Sequence, residues 1–281
     1  MDTSTAPVAT VSVLATGGRM TVPDRLRRTG SPGLRALFRA QARFGGVKLD
    51  IDETSAPLPT DGRAIIFAAN HTNSQDIPRI ACVLNRQFYI VAATDGMFGA
   101  VNKLVCNAHG TIWLERDESD AAKASRRRAH DEAVTKLHSG NDVLIFPEAV
   151  WNPVLTWTDG LPMLPFFRGV VTIAREAGAH IVPVVTEYTP DKVCHVRVCE
   201  PFEDDPATDT IVATDALRSA MAAAKQDLRF RHGPMGVGTY MEMRARWRKA
   251  YPQWDPEREV KFVQGYTRDP GAIRARFFAE D

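Results

Sequence analysis

Six short runs, most of them apolar on both sides, recur along the middle of the chain: AIIFAA (64–69), FYIVAA (88–93), TIWLE (111–115), DVLIF (142–146), IVPVVTEY (181–188) and VCHVRVC (193–199). A strand that is apolar on both sides has no face to offer water, so it must lie in a sheet covered above and below. Helical patterns fill the gaps at about 75–86, 97–107, 118–138 and 164–177, with two more over 210–230 and 236–250. Strands alternating with helices predict an α/β fold, a mainly parallel central sheet flanked by helices on both faces. Pro183 falls inside one of these runs and requires a bulge or a place at the strand's end.

With 281 residues, 44% hydrophobic and 25% charged, the chain can build such a core without covalent help. Its four cysteines (82, 106, 194 and 199) form no C-x-x-C pair, which argues against a zinc module or a disulfide scaffold. Cys82 and Cys106 fall in apolar helical stretches and read as core residues. His109, His130, His138, His180, His195 and His232 have no ligand spacing and read as surface or satisfied residues, so no metal is expected. None of the apolar runs approaches the ~18 residues of a membrane span. No basic residue precedes Arg19, so Val8–Ala15 lacks the charged flank of a secretory signal, and a cytoplasmic location is expected.

Charge is unevenly distributed. Net charge is +1, yet the first 48 residues hold eight basic side chains against Asp2 and Asp24, a local excess of six. Residues 33–44 read as a short N-terminal amphipathic helix, with Leu34, Leu37, Phe38 and Phe44 on one stripe and Arg35, Arg39 and Arg43 on another. Such a helix either docks on an anionic membrane surface or packs on the protein's own core. A second basic cluster, Arg244, Arg246, Arg248 and Lys249, surrounds Trp247. These two clusters offer too few stacking platforms for a nucleic-acid role. The expected organisation is a basic arm and docking helix over 1–50, an α/β core over 51–205, and C-terminal helices with a tail over 206–281.

The segment AANHTNSQDIP (68–78) follows the first buried run directly, where an α/β sheet places its ligands. His71 and Asp76 are five residues apart, ~140° from each other on a regular helix, so they meet only if His71 lies in the turn and Asp76 in the first helical turn. Asn70, Thr72 and Ser74 suit that turn, and Pro78 suits a helix start. In that geometry Asp76 fixes the tautomer of His71 and leaves its second nitrogen as a general base. The alternative is a helix-capping histidine with Asp76 at the positive end of the helix dipole.

Four blocks in order, NHTNSQD, GTIWLERD, VLIFPEA and IVPVV, resemble those of the glycerolipid acyltransferases, which carry H-x-x-x-x-D, G-x-x-x-x-x-R, F-P-E-G-T-R and V-P-V. The likeness spans roughly residues 60–190. It implies an O-acyltransferase in which His71 and Asp76 are catalytic. His71 deprotonates a hydroxyl of a lysophospholipid such as 1-acyl-glycerol-3-phosphate, and the alkoxide attacks an acyl-CoA or acyl carrier protein thioester. No cofactor is implied beyond that thioester co-substrate. The chain contains no G-x-S-x-G elbow that would support an acyl-serine route. The substrate-binding set implied is Arg116, Glu148, Asn70, Lys103 and Trp151. Arg116 is the phosphate candidate, or else a salt-bridge partner of Glu115, Asp117 or Glu118. Glu148 follows Pro147 at a strand terminus and binds acceptor or caps a helix. Trp151 lines an acyl or glycan site or belongs to a core.

The third block departs from the family pattern. Ala149 replaces glycine, and Val150, Trp151 and Asn152 stand where threonine, arginine and serine are usual. That leaves the phosphate contact to Arg116, Arg168 or Lys103, or points to a glycolipid or other alcohol as acceptor; a catalytically silent lipid-binding homologue is the other alternative, against which the intact His71 and Asp76 argue. The resemblance and the basic arm together imply a cytoplasmic protein, peripheral on the inner face of the cell membrane.

Overall fold

In the computed structural model of the chain, the residues described are 47–72, 76–94, 107, 110–115, 119–149, 163, 166–189 and 191–233. The expected helices over 33–44, 97–107 and 236–250 lie outside them, apart from residue 107. The sheet has seven strands: β1 (Lys48–Ile51), β2 (Ile65–Ala69), β3 (Phe88–Ala93), β4 (Thr111–Leu114), β5 (Asp142–Ile145), β6 (His180–Tyr188) and β7 (Val193–Val198). Their spatial order is β1-β7-β6-β2-β5-β3-β4. Neighbours run parallel except β6 and β7, which pair antiparallel. The mainly parallel α/β sheet expected from the sequence is the observed one.

Each residue of β2 is fully buried, and alternate side chains feed two different cores. Ile65, Phe67 and Ala69 meet Ile77, Ile80 and Leu84 of α1 (Asp76–Leu84). Ile66 and Ala68 face the opposite core. There α2 (Asp120–His138) contributes Ala129, Ala133 and Leu137, α3 (Gly169–Ala177) Val170 and Ile173, and α4 (Thr210–His232) Leu217, Met221 and Leu228. Such two-sided burial is why the β2 run carries no polar residue, and truncating Phe67 to alanine would cost about 3–5 kcal/mol. The entry of β2 is fixed by Asp142, whose Oδ1 accepts from the Ile65 amide at 2.9 Å while Oδ2 pairs with Arg86 at 2.8 Å. Burial raises the Asp142 pKa in spite of the Arg86 charge.

The helix ends follow from local chemistry. Ser119 caps α2 by accepting from the Ala122 amide, Asp209 caps α4 by accepting from Ile211 and Val212, and α3 stops at Gly178 with φ 62°. Pro183 lies where the register slips by one residue, between the Val184↔Val198 pair and the Ile181↔Phe202 bridge. Its missing N–H therefore falls opposite a bulge, as the sequence required. β1 was not foreseen. Its sequence KLDI is short and half charged, as suits an exposed edge, and it straddles residue 50, the expected end of the basic arm.

Candidate active site

β2 is the central strand of a parallel sheet, so the chain leaving its carboxyl end enters the crevice between the α1 side and the neighbouring β5 and β6 termini. Asn70 locks that exit. Its Oδ1 accepts from the Thr186 amide at 2.7 Å, and its Nδ2 donates to the Thr186 carbonyl at 3.1 Å and to Thr72 Oγ1 at 2.8 Å. Those bonds turn the chain and hold it against β6, so Asn70 shapes the turn through its own amide.

The turn brings His71 onto Asp76 as the five-residue spacing requires. His71 Nδ1 lies 3.0 Å from Asp76 Oδ2, which also accepts from the Thr72 amide at 2.6 Å. Asp76 is 0% exposed and the His71 side chain 21%, so the carboxylate is sealed while the imidazole reaches the crevice. The ring stacks on Phe146, with centroids 4.3 Å apart. Glu148 comes from the turn after β5 and is 1% exposed; its Oε1 accepts from the His71 amide at 3.3 Å. The geometry therefore joins His71, Asp76, Asn70 and Glu148. Arg116, Lys103 and Trp151 lie outside the described residues, as do Val150 and Asn152. Glu115, immediately before Arg116, is anchored to α2: its amide donates to Ser125 Oγ at 3.2 Å and its carbonyl accepts from Arg126 at 3.2 Å.

Ala149 explains the glycine of the family pattern. Its φ is 54°, the left-handed region, which L-residues enter at a cost of about 1–2 kcal/mol. Arg168, the other basic candidate, stands at the start of α3.

Two residues absent from the sequence reading complete the site. Tyr188, at the end of β6, donates through its hydroxyl to Asp76 Oδ1. Arg79, one turn into α1, donates from Nη1 to the same hydroxyl oxygen at 2.8 Å and lies over the Tyr188 ring at 5.2 Å. Burial, then the Asp76 charge, raise the Tyr188 phenol well above its ordinary range, so it is a neutral donor. Cys194 lies in the same region, and burial followed by the Asp76 charge pushes its thiol up to about 12, too high for a thiolate nucleophile. The lone arginine within the apolar helix DIPRIACVL is a sequence signal for Arg79, though not for its partner.

Among the described residues, His130 pairs with Glu176, His180 with Asp61, His195 with Asp50 and His232 with Asp52. No group of three or more potential metal ligands occurs among them.

A sequence model of the acyltransferase family matches residues 51–187, the span that runs from β1 to the Tyr188 end of β6. Over that span the chain resembles the acyltransferase family. Among similar proteins, 1-acyl-sn-glycerol-3-phosphate acyltransferase alpha of Mus musculus is 24% identical over 202 residues, covering 67% of this chain and 67% of that protein. The 1-acyl-sn-glycerol-3-phosphate acyltransferases of Neisseria gonorrhoeae and Neisseria meningitidis are each 28% identical over 141 residues. The match covers 50% of this chain and 51% of each Neisseria protein, so about half their length is spanned. The crystal structure of the 1-acyl-sn-glycerophosphate acyltransferase PlsC from Thermotoga maritima has the same fold, with a TM-score of 0.55 at 19% identity over 73% of this chain and 82% of that one.

Proposed function

We propose that the protein moves a fatty acyl group from an acyl-CoA or acyl carrier protein thioester to a hydroxyl of a lysophospholipid, 1-acyl-glycerol-3-phosphate being the leading acceptor. What carries this reading is the His71–Asp76 pair, 3.0 Å apart at the carboxyl end of the central strand. With Nδ1 committed to Asp76, proton transfer falls to Nε2. Nε2 takes the acceptor's hydroxyl proton, the oxygen attacks the thioester carbonyl, the C–S bond breaks, and His71 returns the proton to the departing thiolate. The balance is one ester and one free thiol, with no acyl-enzyme and no cofactor in the step. Arg116 and Lys103 are the cations proposed for the acceptor's phosphate, and Trp151 for the acyl chain. Glu148, bound to the His71 amide, supports the turn.

The replacement of the family's arginine in the third block favours a second reading, a glycolipid or other alcohol acceptor. Thiol release by the purified protein, with one acyl-CoA against a panel of lysolipids and glycolipids, separates the two. Activity confined to phosphate-bearing acceptors supports the first. No helix among the described residues is long and apolar enough to cross a membrane. The basic, amphipathic sequence of 33–44 supports peripheral docking on an anionic inner leaflet. Deleting residues 1–45 should abolish co-sedimentation with anionic vesicles while a water-soluble acceptor is still turned over.

A further inference from the structure

The most enclosed polar group of the site is Asp76, and what surrounds it constrains its proton more than the His71 contact alone does. From the turn, the Thr72 amide and His71 Nδ1 reach Oδ2; from β6, Tyr188 reaches Oδ1. Arg79 of the same helix reaches Tyr188, Cys194 of β7 stands within range of the Asp76 charge, and Glu148 meets the His71 amide from the turn after β5. Hydrogen-bond inventory then fixes directions. A guanidinium has only donors, so the Tyr188 oxygen accepts from Arg79; a phenol has one proton, so that proton goes to Asp76. The Thr72 amide can only donate. Asp76 thus meets fixed donors on both oxygens, which hold its carboxylate in one orientation.

We propose that Tyr188, oriented by Arg79, is a positioning residue that holds the Asp76 carboxylate aimed, and through Asp76 sets the tautomer and proton affinity of His71. The relay runs Arg79 to Tyr188 to Asp76 to His71, from a fully buried cation to a partly exposed base. It ties α1 to a residue 109 positions later in sequence. Removing the phenol hydroxyl leaves more charge on Asp76. The pair then binds its shared proton more tightly, and the imidazole is neutral, and therefore a base, only at higher pH.

The kinetic arm of the test rests on the acyl-transfer reading; a second arm does not. In Tyr188→Phe, the acid limb of kcat/KM should move up by about one pH unit, the size of a lost hydrogen bond to a carboxylate. At low pH kcat should fall several-fold while KM for the thioester is unchanged. Arg79→Met, which leaves Asp76 its direct donors, should give a smaller shift in the same direction. The second arm is a ¹⁵N NMR titration of His71 in the full chain, which needs no substrate and should show the same upward shift and a larger share of the other tautomer. An unshifted His71 titration in both variants, or in Arg79→Met alone if Tyr188→Phe does not fold, overturns the proposal. Unimpaired turnover by His71→Ala would instead overturn the acyl-transfer mechanism, and the NMR result would still decide the relay.

Discussion

β6 ends in Thr186, Glu187 and Tyr188, whose side chains reach different partners on the two faces of the sheet, and each face puts buried charge to a different use. On the α1 face, Tyr188 joins Arg79 and Asp76, and the chain of bonds ends at an imidazole that meets the crevice. On the α4 face, Glu187 is held by Lys225 at 2.7 Å and Arg229 at 3.0 Å, and Lys225 is wholly enclosed. The two networks touch at one atom: the Thr186 carbonyl accepts from Lys225 Nζ at 2.9 Å and from Asn70 Nδ2 at 3.1 Å. The contrast separates two uses of burial. A closed ion pair locks elements together, whereas a polar chain that opens at one end sets the protonation of the group at its mouth.

The contrast predicts opposite signatures for two truncations. His71→Ala should lose ~10²–10⁴ in turnover with little change in melting temperature, since the buried Asp76 carboxylate keeps its Thr72 and Tyr188 donors when the imidazole is gone. Lys225→Ala should do the reverse, costing about 3–5 kcal/mol in denaturant unfolding because Glu187 loses a buried partner. Early melting of His71→Ala with an unaffected Lys225→Ala would break the distinction.

A pH series sharpens it. On the α4 side, Asp52 accepts from Thr54 and is met by His232 and by Arg197, each at 3.2 Å. Burial opposes its ionisation, but these partners together hold its pKa below the ordinary 3.8. The unfolded chain therefore takes up that proton first. The stability from Asp52 is complete above 3.8 and drains as pH falls through the lower folded value. Asp52→Asn should be less stable than the parent at pH 7, and the gap should narrow in unfolding curves as pH falls below 3.8. A constant gap would mean that the ion pairs contribute little.

The smallest effect belongs to the rim of the site. Ala149→Gly relieves a left-handed alanine but adds freedom to the unfolded chain, a net gain of roughly 0.5–1 kcal/mol in thermal unfolding. Loss of stability would show that the alanine methyl is packed.

The sheet was legible because its inner strands are buried on both faces and therefore mostly apolar. The His71–Asp76 contact was legible because turn residues and Pro78 force a bend between them. β1 was hidden by its charges, an edge strand having only one neighbour to satisfy. Tyr188 and Arg79 were hidden for another reason. Their meeting depends on the register of β6 against β2, in which Ala69 lies beside Val184, and no local pattern encodes that alignment. Asn70 was read as a turn and substrate residue, and its bonds to Thr186 depend on the same register.

That register also has a kinetic side. The partners of the turn come late: Thr186 lies 116 residues after Asn70, and Tyr188 112 residues after Asp76. A nascent chain that has emerged only through β5 carries both members of the His71–Asp76 pair and neither of their β6 supports. Closing loops of that length is slow and is repaid only when β6 docks between β2 and β7. The centre that the sequence announces first is therefore among the last parts of the molecule to become rigid.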